Sequence, residues 1–553
     1  MKQVLKMSIV ACLCVVAQAT AVAAAPASGS IAQQLEAMQK TLAAMQQQLE
    51  AQQQQIAAQQ AALEALRAQQ SGARDNPAQV AQQQQEQQQQ AAIDALGQAA
   101  TKARLAAQEQ PKLSFPNNRP TITSFDGRSS IALRALVQLD TAHYSQDAAG
   151  PLSSDFRRGS VGATANRESD AARDLSDGGY FRRARFGLEG KIAQSFNYKL
   201  LLELGGAGTE GPTRINDAWM SYTGIAPFTF QFGAFAPTAG LADSTVPDDL
   251  LFIERPTSAE LARTLAGADG RIAFSWRAGG ARWLSALSLT GRTVNDAEVN
   301  DSQSALIGRF AGLLATGENY NVHLGANGTY VIHPPDQGPS VTAGRYAIRL
   351  RDRPELRVDS TRLIDTGSID ADHVYATGVE LAANRRNWLL QAEHQWIGVS
   401  RRASTLANPH FSGYYIEGSW VITGESHRYN PVTGSYQSPR PFIPFEGQGG
   451  HGAWELALRY SRADLDSDPG VAGVAPPADG IRGGVQSVTT AGLNWYPNNN
   501  VRFMFDVLHV NVSRLNPASA TGTPFGAAPA TPPVGSQIGQ DFNAFALRSQ
   551  YSF

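Results

Sequence analysis

Asp541-Phe542-Asn543-Ala544-Phe545-Ala546-Leu547-Arg548-Ser549-Gln550-Tyr551-Ser552-Phe553 closes the chain, and its side chains divide by parity. Asn543, Phe545, Leu547, Ser549, Tyr551 and Phe553 form one row. Phe542, Ala544, Ala546, Arg548 and Gln550 form the other, which turns small and polar toward the end. Successive residues of a strand face opposite ways, so the segment reads as a strand with one apolar and one wettable face. The same alternation recurs back to about residue 131. In 180–192, Tyr180, Ala184, Phe186, Leu188 and Ile192 oppose Arg183, Arg185, Glu189 and Lys191. In 197–204, Tyr198, Leu200, Leu202 and Leu204 oppose Asn197, Lys199 and Glu203; in 454–461, Trp454, Leu456, Leu458 and Tyr460 oppose Glu455, Arg459 and Ser461. Hydrocarbon outside and water inside a closed barrel explain both rows. Of the eight tryptophans only Trp219 falls on the polar parity. A soluble sandwich also alternates, but it rarely sets so many tryptophans on one face of so many strands.

Candidate strands from 131–143 to 541–553 number sixteen, an even count as a single-chain bacterial barrel requires. Residues 343–351 also alternate and would make seventeen, so 332–372 is read as one long loop. The links 193–195, 225–226, 279–280, 316–319 and 497–500 are short and alternate with longer ones. Short links are expected to be periplasmic turns and long ones surface loops. The expected fold is an all-β, sixteen-stranded antiparallel transmembrane β-barrel over 121–553, preceded by an N-terminal α-helical coiled coil.

At the N-terminus, Lys2 and Lys6 precede an apolar run from Met7 to Ala17 and small residues through Ala25. Residues 1–25 read as a secretory signal peptide. A lipobox at Ile9-Val10-Ala11-Cys12 is the alternative, with little apolar sequence before it. Cys12 and Cys14 are the only cysteines of the 553 residues, so a mature chain would carry no disulfide. Mean hydropathy is −0.27, so no part need be a helical membrane protein. Residues 26–70 hold a heptad repeat, with Leu35, Leu42, Leu49, Ile56 and Leu63 at a, and Ile31, Met38, Met45 and Leu66 at d. A solitary helix would leave this seam exposed, so a periplasmic coiled coil of identical chains is expected, with polar Gln52 and Gln59 layers fixing register. Residues 71–120 are a Gln/Ala-rich linker, in part helical.

The sharpest chemical signal lies in the long loop, Arg345-Tyr-Ala-Ile-Arg349-Leu-Arg351-Asp-Arg353-Pro-Glu-Leu-Arg357. In extended chain, Arg349, Arg351 and Arg353 point one way about 6.6–7 Å apart. Each guanidinium offers a permanent charge and a planar fork to phosphate or carboxylate oxygens. An arginine-rich surface loop neutralised by Asp352, Glu355 and Asp359 has the same composition. Elsewhere, Gly206-Ala-Gly208-Thr-Glu-Gly211 precedes a proline and a strand rather than a helix, and Asp464-Leu-Asp466-Ser-Asp468 lacks the glycine and glutamate of a calcium loop. The nine histidines show no metal spacing and no nucleophile constellation stands out. No catalytic residue, cofactor, metal or nucleic-acid partner is expected. The formal charge of −2 excludes little, because a pore can segregate a basic lumen from acidic loops.

Gly179-Tyr180-Phe181-Arg182-Arg183-Ala184-Arg185-Phe186-Gly187-Leu188-Glu189-Gly190 followed by Asn197-Tyr198-Lys199 resembles the first hairpin of the phosphate-selective porin O/P family. Asn216-Asp217-Ala218-Trp219, Gln231-Phe232-Gly233, Phe252-Ile253-Glu254-Arg255, Gly452-Ala453-Trp454-Glu455-Leu456, Gly492-Leu493-Asn494-Trp495-Tyr496-Pro497 and the final strand follow in the family's order, over roughly 120–553. The resemblance implies a Gram-negative outer-membrane location and a homotrimer of barrels whose surface loops fold inward. It also implies a passive path for small anions such as phosphate. It makes Arg349, Arg351, Arg353 and Arg357, with Arg345 before them, the anion ladder, and Arg182, Arg183 and Arg185 the basic lumen wall. The family's lysine has no counterpart in 235–269, where Arg255 and Arg263 are the basic residues. Two functions stay open. One is an anion-biased porin for phosphate or polyphosphate. The other is an unselective pore that also tethers the outer membrane to the cell wall through its coiled coil.

Overall fold

The computed structural model describes residues 51–64 (52 and 63 excepted), 77–108, 110–146, 175–206, 213–296, 300–339, 344–445, 449–517 and 534–553. The chain forms two compact units, Met1–Arg104 and Leu105–Phe553. The signal peptide and most of the heptad seam lie outside the described residues. Residues 53–62 are helical, with Ile56 and Gln59 exposed. The linker segment carries a 32-residue helix, α1, Pro77–Gln108. Its polar surface is supported by pairs one turn apart, Gln82 to Glu86 and Gln90 to Asp94. No helix among the described residues is long and apolar enough to cross a membrane; strands do so instead.

Sixteen strands make the wall: β1 Ser130–Gln146, β2 Gly178–Ile192, β3 Phe196–Glu203, β4 Arg214–Ile225, β5 Phe228–Phe235, β6 Arg271–Gly279, β7 Trp283–Thr293, β8 Ser304–Gly317, β9 Tyr320–His333, β10 Ile369–Arg385, β11 Trp388–Arg401, β12 His410–Val421, β13 Ala453–Ser467, β14 Ile481–Tyr496, β15 Val501–Ser513 and β16 Asp541–Ser552. Each pairs antiparallel with the next, and β16 closes on β1 from Phe542 opposite Gln146 to Ser552 opposite Leu136. Closure satisfies every wall strand's backbone groups, which hydrocarbon demands. The hairpin Lys112–Ser114 with Thr121–Thr123 adds to the foot of β1.

The parities hold. Trp388, Trp396 and Trp420 are exposed on the outer face, with Trp276 and Trp454 partly so. Arg183, Glu455 and Arg459 are buried in the lumen, where Lys199 pairs with Asp217 at 3.1 Å. Near the short turns, Trp388 stacks on Trp420 at 5.5 Å and Trp454 on Trp495 at 5.4 Å, an interfacial girdle.

Two long links on the loop side fold into the lumen. The link after β5 carries α2, Leu241–Ser244, and α3, Thr257–Ala266. On α3, Leu261, Leu265 and Ala266 share one apolar cluster with Ile348, Leu350, Leu356 and Leu363 of the link after β9. That second link is the long loop expected over 332–372. Its alternating part never joins the wall: Ala347–Ile348 pairs with the start of β10, and Arg351–Asp352 pairs with Ile364–Asp365.

One expectation fails. The link after β12, residues 422–452, is long yet lies at the end of the short turns. It does not hang outside. Its hairpin, Arg428–Asn430 with Ser435–Gln437, enters the lumen. The Arg309 guanidinium donates to the carbonyls of Thr433 and Gly434 at 2.7 and 2.8 Å, and Ser435 Oγ donates to Ser244 O at 3.3 Å. Tyr429 meets Tyr436 edge-on at 5.3 Å and reaches His323 through its hydroxyl. Buried polar partners on β8 and β9 hold the segment inside, so link length alone did not reveal its side.

Candidate anion path

Loops and wall leave two polar cavities. The loop-end cavity, about 480 Å³, is lined by Arg182 and Arg183 of β2, Arg214 and Asn216 of β4, Arg255, Glu260, Arg263 and Asp269 around α3, Asp296 beyond β7, and Arg357. Six arginines face three carboxylates there. The turn-end cavity, about 420 Å³, is lined by Arg119, Arg134, Arg428, Arg440 and Arg502 against Asp248 and Asp249. Both ends are therefore net cationic.

A hydrogen-bonded relay of side chains separates them. Arg183 donates to Gln138 Oε1 at 2.7 Å, Gln138 Nε2 donates to Gln550 Oε1 at 2.6 Å, and Gln550 Nε2 donates to Asp248 O at 3.1 Å. Arg183 lines the loop-end cavity and Gln550 the turn-end one. Next to this relay, Arg548 forms a two-pronged bond to Asp140 at 2.6 and 2.7 Å. Glu254 sits among arginines: Arg182 at 2.5 Å, Arg548 at 3.4 Å and Arg357 at 3.6 Å. Burial alone would raise the Glu254 pKa, but Arg182, Arg357, Arg183 and Arg548 hold it well below the usual carboxylate range. It stays ionised and cross-links wall to loop.

The three wall arginines differ. Arg182 is spent on Glu254, and Arg185 on Glu203 and Asp269 at 2.7 and 2.8 Å. Arg183, 2% exposed, makes no ion pair among the described residues, and its Nε is a buried donor without a partner. Parity alone sets Arg183 and Arg185 on the lumen row; the bulge in β2 brings Arg182 to the same side.

The five loop arginines are not brought together. Arg345, half-exposed, is held by Asp336 with Nη2 at 2.6 Å. Arg349, also half-exposed, forks onto Asp365, with Nε at 2.7 Å. Arg351 is exposed. Arg353 is 4% exposed, and Arg357 bonds Glu260 at 2.7 Å within the loop-end cavity. The chain turns between them: Glu355 N donates to Arg353 O, and Glu355 adopts φ 57. The Glu355 carboxylate is the anchor. It accepts from Arg459 Nη2 at 2.5 Å, from the Thr257 amide at 2.9 Å and from the Ser461 hydroxyl. Asp352, buried and facing Glu260, has its pKa pushed up to about 7.

Gln138, Gln550, Glu254 and Arg548 were not singled out from sequence. Arg548 and Gln550 do stand on the polar parity of the last strand. Gln138 lies 412 residues from Gln550, and only closure of the barrel pairs them.

Residues 157–553 match the family described as Phosphate-selective porin O and P. The chain belongs to this family. Among curated relatives, Porin O of Pseudomonas aeruginosa is 28% identical over 347 residues, covering 60% of this chain and 76% of that one. A Caulobacter vibrioides chain named only as an uncharacterized protein is 26% identical over 432 residues, 77% of this chain and 78% of that one. Among solved structures, the anion-selective porin from Comamonas acidovorans aligns at 11% identity with a TM-score of 0.42, over 77% of this chain and all of that one. OmpT of Vibrio cholerae, in its trimer form, aligns at 9% and 0.43, over 77% of this chain and 99% of that one. These two alignments are too distant to inform the site. The protein is an outer-membrane porin, and its lumen must be read from its own side chains.

Proposed function

We propose that this porin is a passive, anion-biased channel whose solute is phosphate or polyphosphate, and that its constriction is the arginine cluster around Arg183. The observation that carries this reading is Arg183 itself: a buried guanidinium between two net-cationic cavities, with Gln138 rather than a carboxylate as its partner. An entering oxyanion exchanges hydration for charge-assisted bonds, each about 1.5–3 kcal/mol before desolvation. Arg353 and Arg357 extend the cluster inward from the loop, with Arg182 and Arg185 as the charged wall. Arg345, Arg349 and Arg351 form the outer part of the same ladder and act as a weaker antechamber. Several modest sites in a row let an ion enter and leave, where one deep site would trap it.

Reversal potential in a planar bilayer under a chloride gradient, with phosphate added as competitor, tests the reading. Anion preference and saturable phosphate block are expected. Ohmic, unselective current would instead make this a general pore, with the N-terminal helix serving as a tether to the cell wall. A homotrimer belongs to the same proposal, and stepwise cross-linking to three copies in mild detergent is expected. A ladder that stops at two would overturn it.

A further inference from the structure

The hairpin that enters the lumen from the turn end brings arginines of its own. Arg428 lies in its first strand, and Arg440 follows its second. Both line the turn-end cavity of about 420 Å³, and both also line a second cavity of about 800 Å³ beside the turns at Asn319 and Asn387. They therefore stand on the partition between two cavities.

The other basic groups around the turn-end cavity are committed. Arg119 pairs with Glu189, Arg134 with Asp248 at 3.3 Å, and Arg502 donates to the carbonyls of Asp248, Leu250 and Leu251. The nearby carboxylates are committed as well. Asp249 accepts from the Ser438 amide at 2.9 Å, and the buried Glu425 accepts from the Phe442 amide and the Thr423 hydroxyl. Arg428 and Arg440 are exposed to the cavities and make no ion pair among the described residues. They also feel each other: burial, then the Arg440 charge, lowers the Arg428 pKa, against a smaller opposing pull from Asp249. Two guanidiniums that share a cavity wall, neither in an ion pair among the described residues, repel at a cost that a shared anion removes, and their forks match a tetrahedral oxyanion.

We propose that Arg428 and Arg440 form a second binding site for a phosphate-type oxyanion, at the turn end of the channel and separate from the arginines around Arg183. The inserted hairpin then carries its own station, and the pore is asymmetric, with a different site behind each mouth. The proposal rests on the channel reading only in that ions reach this mouth.

Single channels of the full-length protein, inserted with known orientation, test it with inorganic phosphate added to one side at a time. In the unaltered protein, saturable block is expected from both sides. R428Q/R440Q should weaken turn-side block at least about tenfold, about 1.4 kcal/mol, and leave loop-side block unchanged. Undiminished turn-side block in that variant would overturn the site. If R428Q/R440Q lost block from both sides, R428K/R440K decides: restored turn-side block supports the pair, and its continued absence overturns it. An unaltered protein blocked only from the loop side would refute this site and leave the loop-end reading standing. Block from neither side would refute both.

Discussion

Arg349 in the loop after β9 and Arg183 on the wall strand β2 carry the same charge, and both sit in arginine-rich runs of alternating sequence. Their surroundings are opposite. Arg349 is half-exposed and forks onto Asp365, a carboxylate 16 residues away in its own loop. Arg345 does the same with Asp336, nine residues away. Arg183 is buried, and its side-chain partner, Gln138, comes from the neighbouring strand β1. The loop neutralises its outer arginines locally, while the wall leaves one inner arginine without an ion pair among the described residues. A permanent charge shapes a pore's field only where no fixed carboxylate cancels it and low dielectric lets it act. The outer half of the arginine run is therefore the weaker part, although it is the more conspicuous in sequence.

The largest effect is expected where loop and wall are locked together. Glu355 accepts from Arg459, Thr257 and Ser461, all buried. Glu355→Ala leaves Arg459 as a buried charge without its closest carboxylate, and breaking one partner of such a pair costs about 3–5 kcal/mol. The inner half of the loop should detach. Limited proteolysis of the folded protein should then cut within 344–368, where the parent protein resists. Equal resistance in the variant would mean that the apolar cluster around Leu350 and Leu356 holds the loop alone.

The comparison itself is tested at Arg183. Arg183→Gln keeps a hydrogen-bonding side chain beside Gln138 and removes the charge. Losing one charge-assisted bond of about 1.5–3 kcal/mol corresponds to roughly a tenfold or larger fall in phosphate affinity. Reversal potentials should move toward the unselective value. Unchanged selectivity would shift the burden to Arg353 and Arg357.

Much of this was legible in sequence, and for a physical reason. Lipid imposes one solvent along every strand, so Trp388, Trp396 and Trp420 report their face without any knowledge of neighbours. The sixteen strands and the exclusion of 343–351 from the wall followed from parity and an even count. The lumen gave no such uniform signal. Asp365 and Glu355 decide the fate of Arg349 and Arg459, yet nothing in spacing says which carboxylate an arginine meets. The Gln138–Gln550 contact exists only because the first and last strands join. Length alone puts the 422–452 link on the loop side, whereas its hairpin is held inside the barrel by Arg309 and His323.

Acid should sharpen the contrast from the loop side. Asp352 has its pKa pushed up to about 7 by burial and by the facing Glu260 charge, above an ordinary value near 4. A carboxyl whose folded pKa is raised binds its proton more tightly when folded, so its contribution to stability declines as pH rises from about 4 through 7. For conduction, the same shift means that the loop loses a negative charge as pH falls through 7. Anion preference should therefore rise modestly between pH 8 and pH 6. Asp352→Asn should flatten that step; a step that survives the substitution would assign it to another group.

The smallest effect is expected at the most arginine-rich stretch. Arg345 and Arg349 are half-exposed and already paired, and exposed pairs add little to stability. R345A/R349A removes two positive charges but frees Asp336 and Asp365, and solvent screens both changes at the mouth within about 8–10 Å. Folding, protease resistance and phosphate block should be close to those of the parent protein, and any loss of anion preference should vanish in high salt. R345A/D336A and R349A/D365A, each removing a whole pair, should be closer still. If R345A/R349A instead abolished phosphate block at physiological ionic strength while R183Q spared it, the ranking of the two regions would be reversed. Selection would then occur at the mouth, with the two ion pairs opening to receive the anion, and the Arg183 charge on β2 would serve only to hold Gln138 and Gln550 in place.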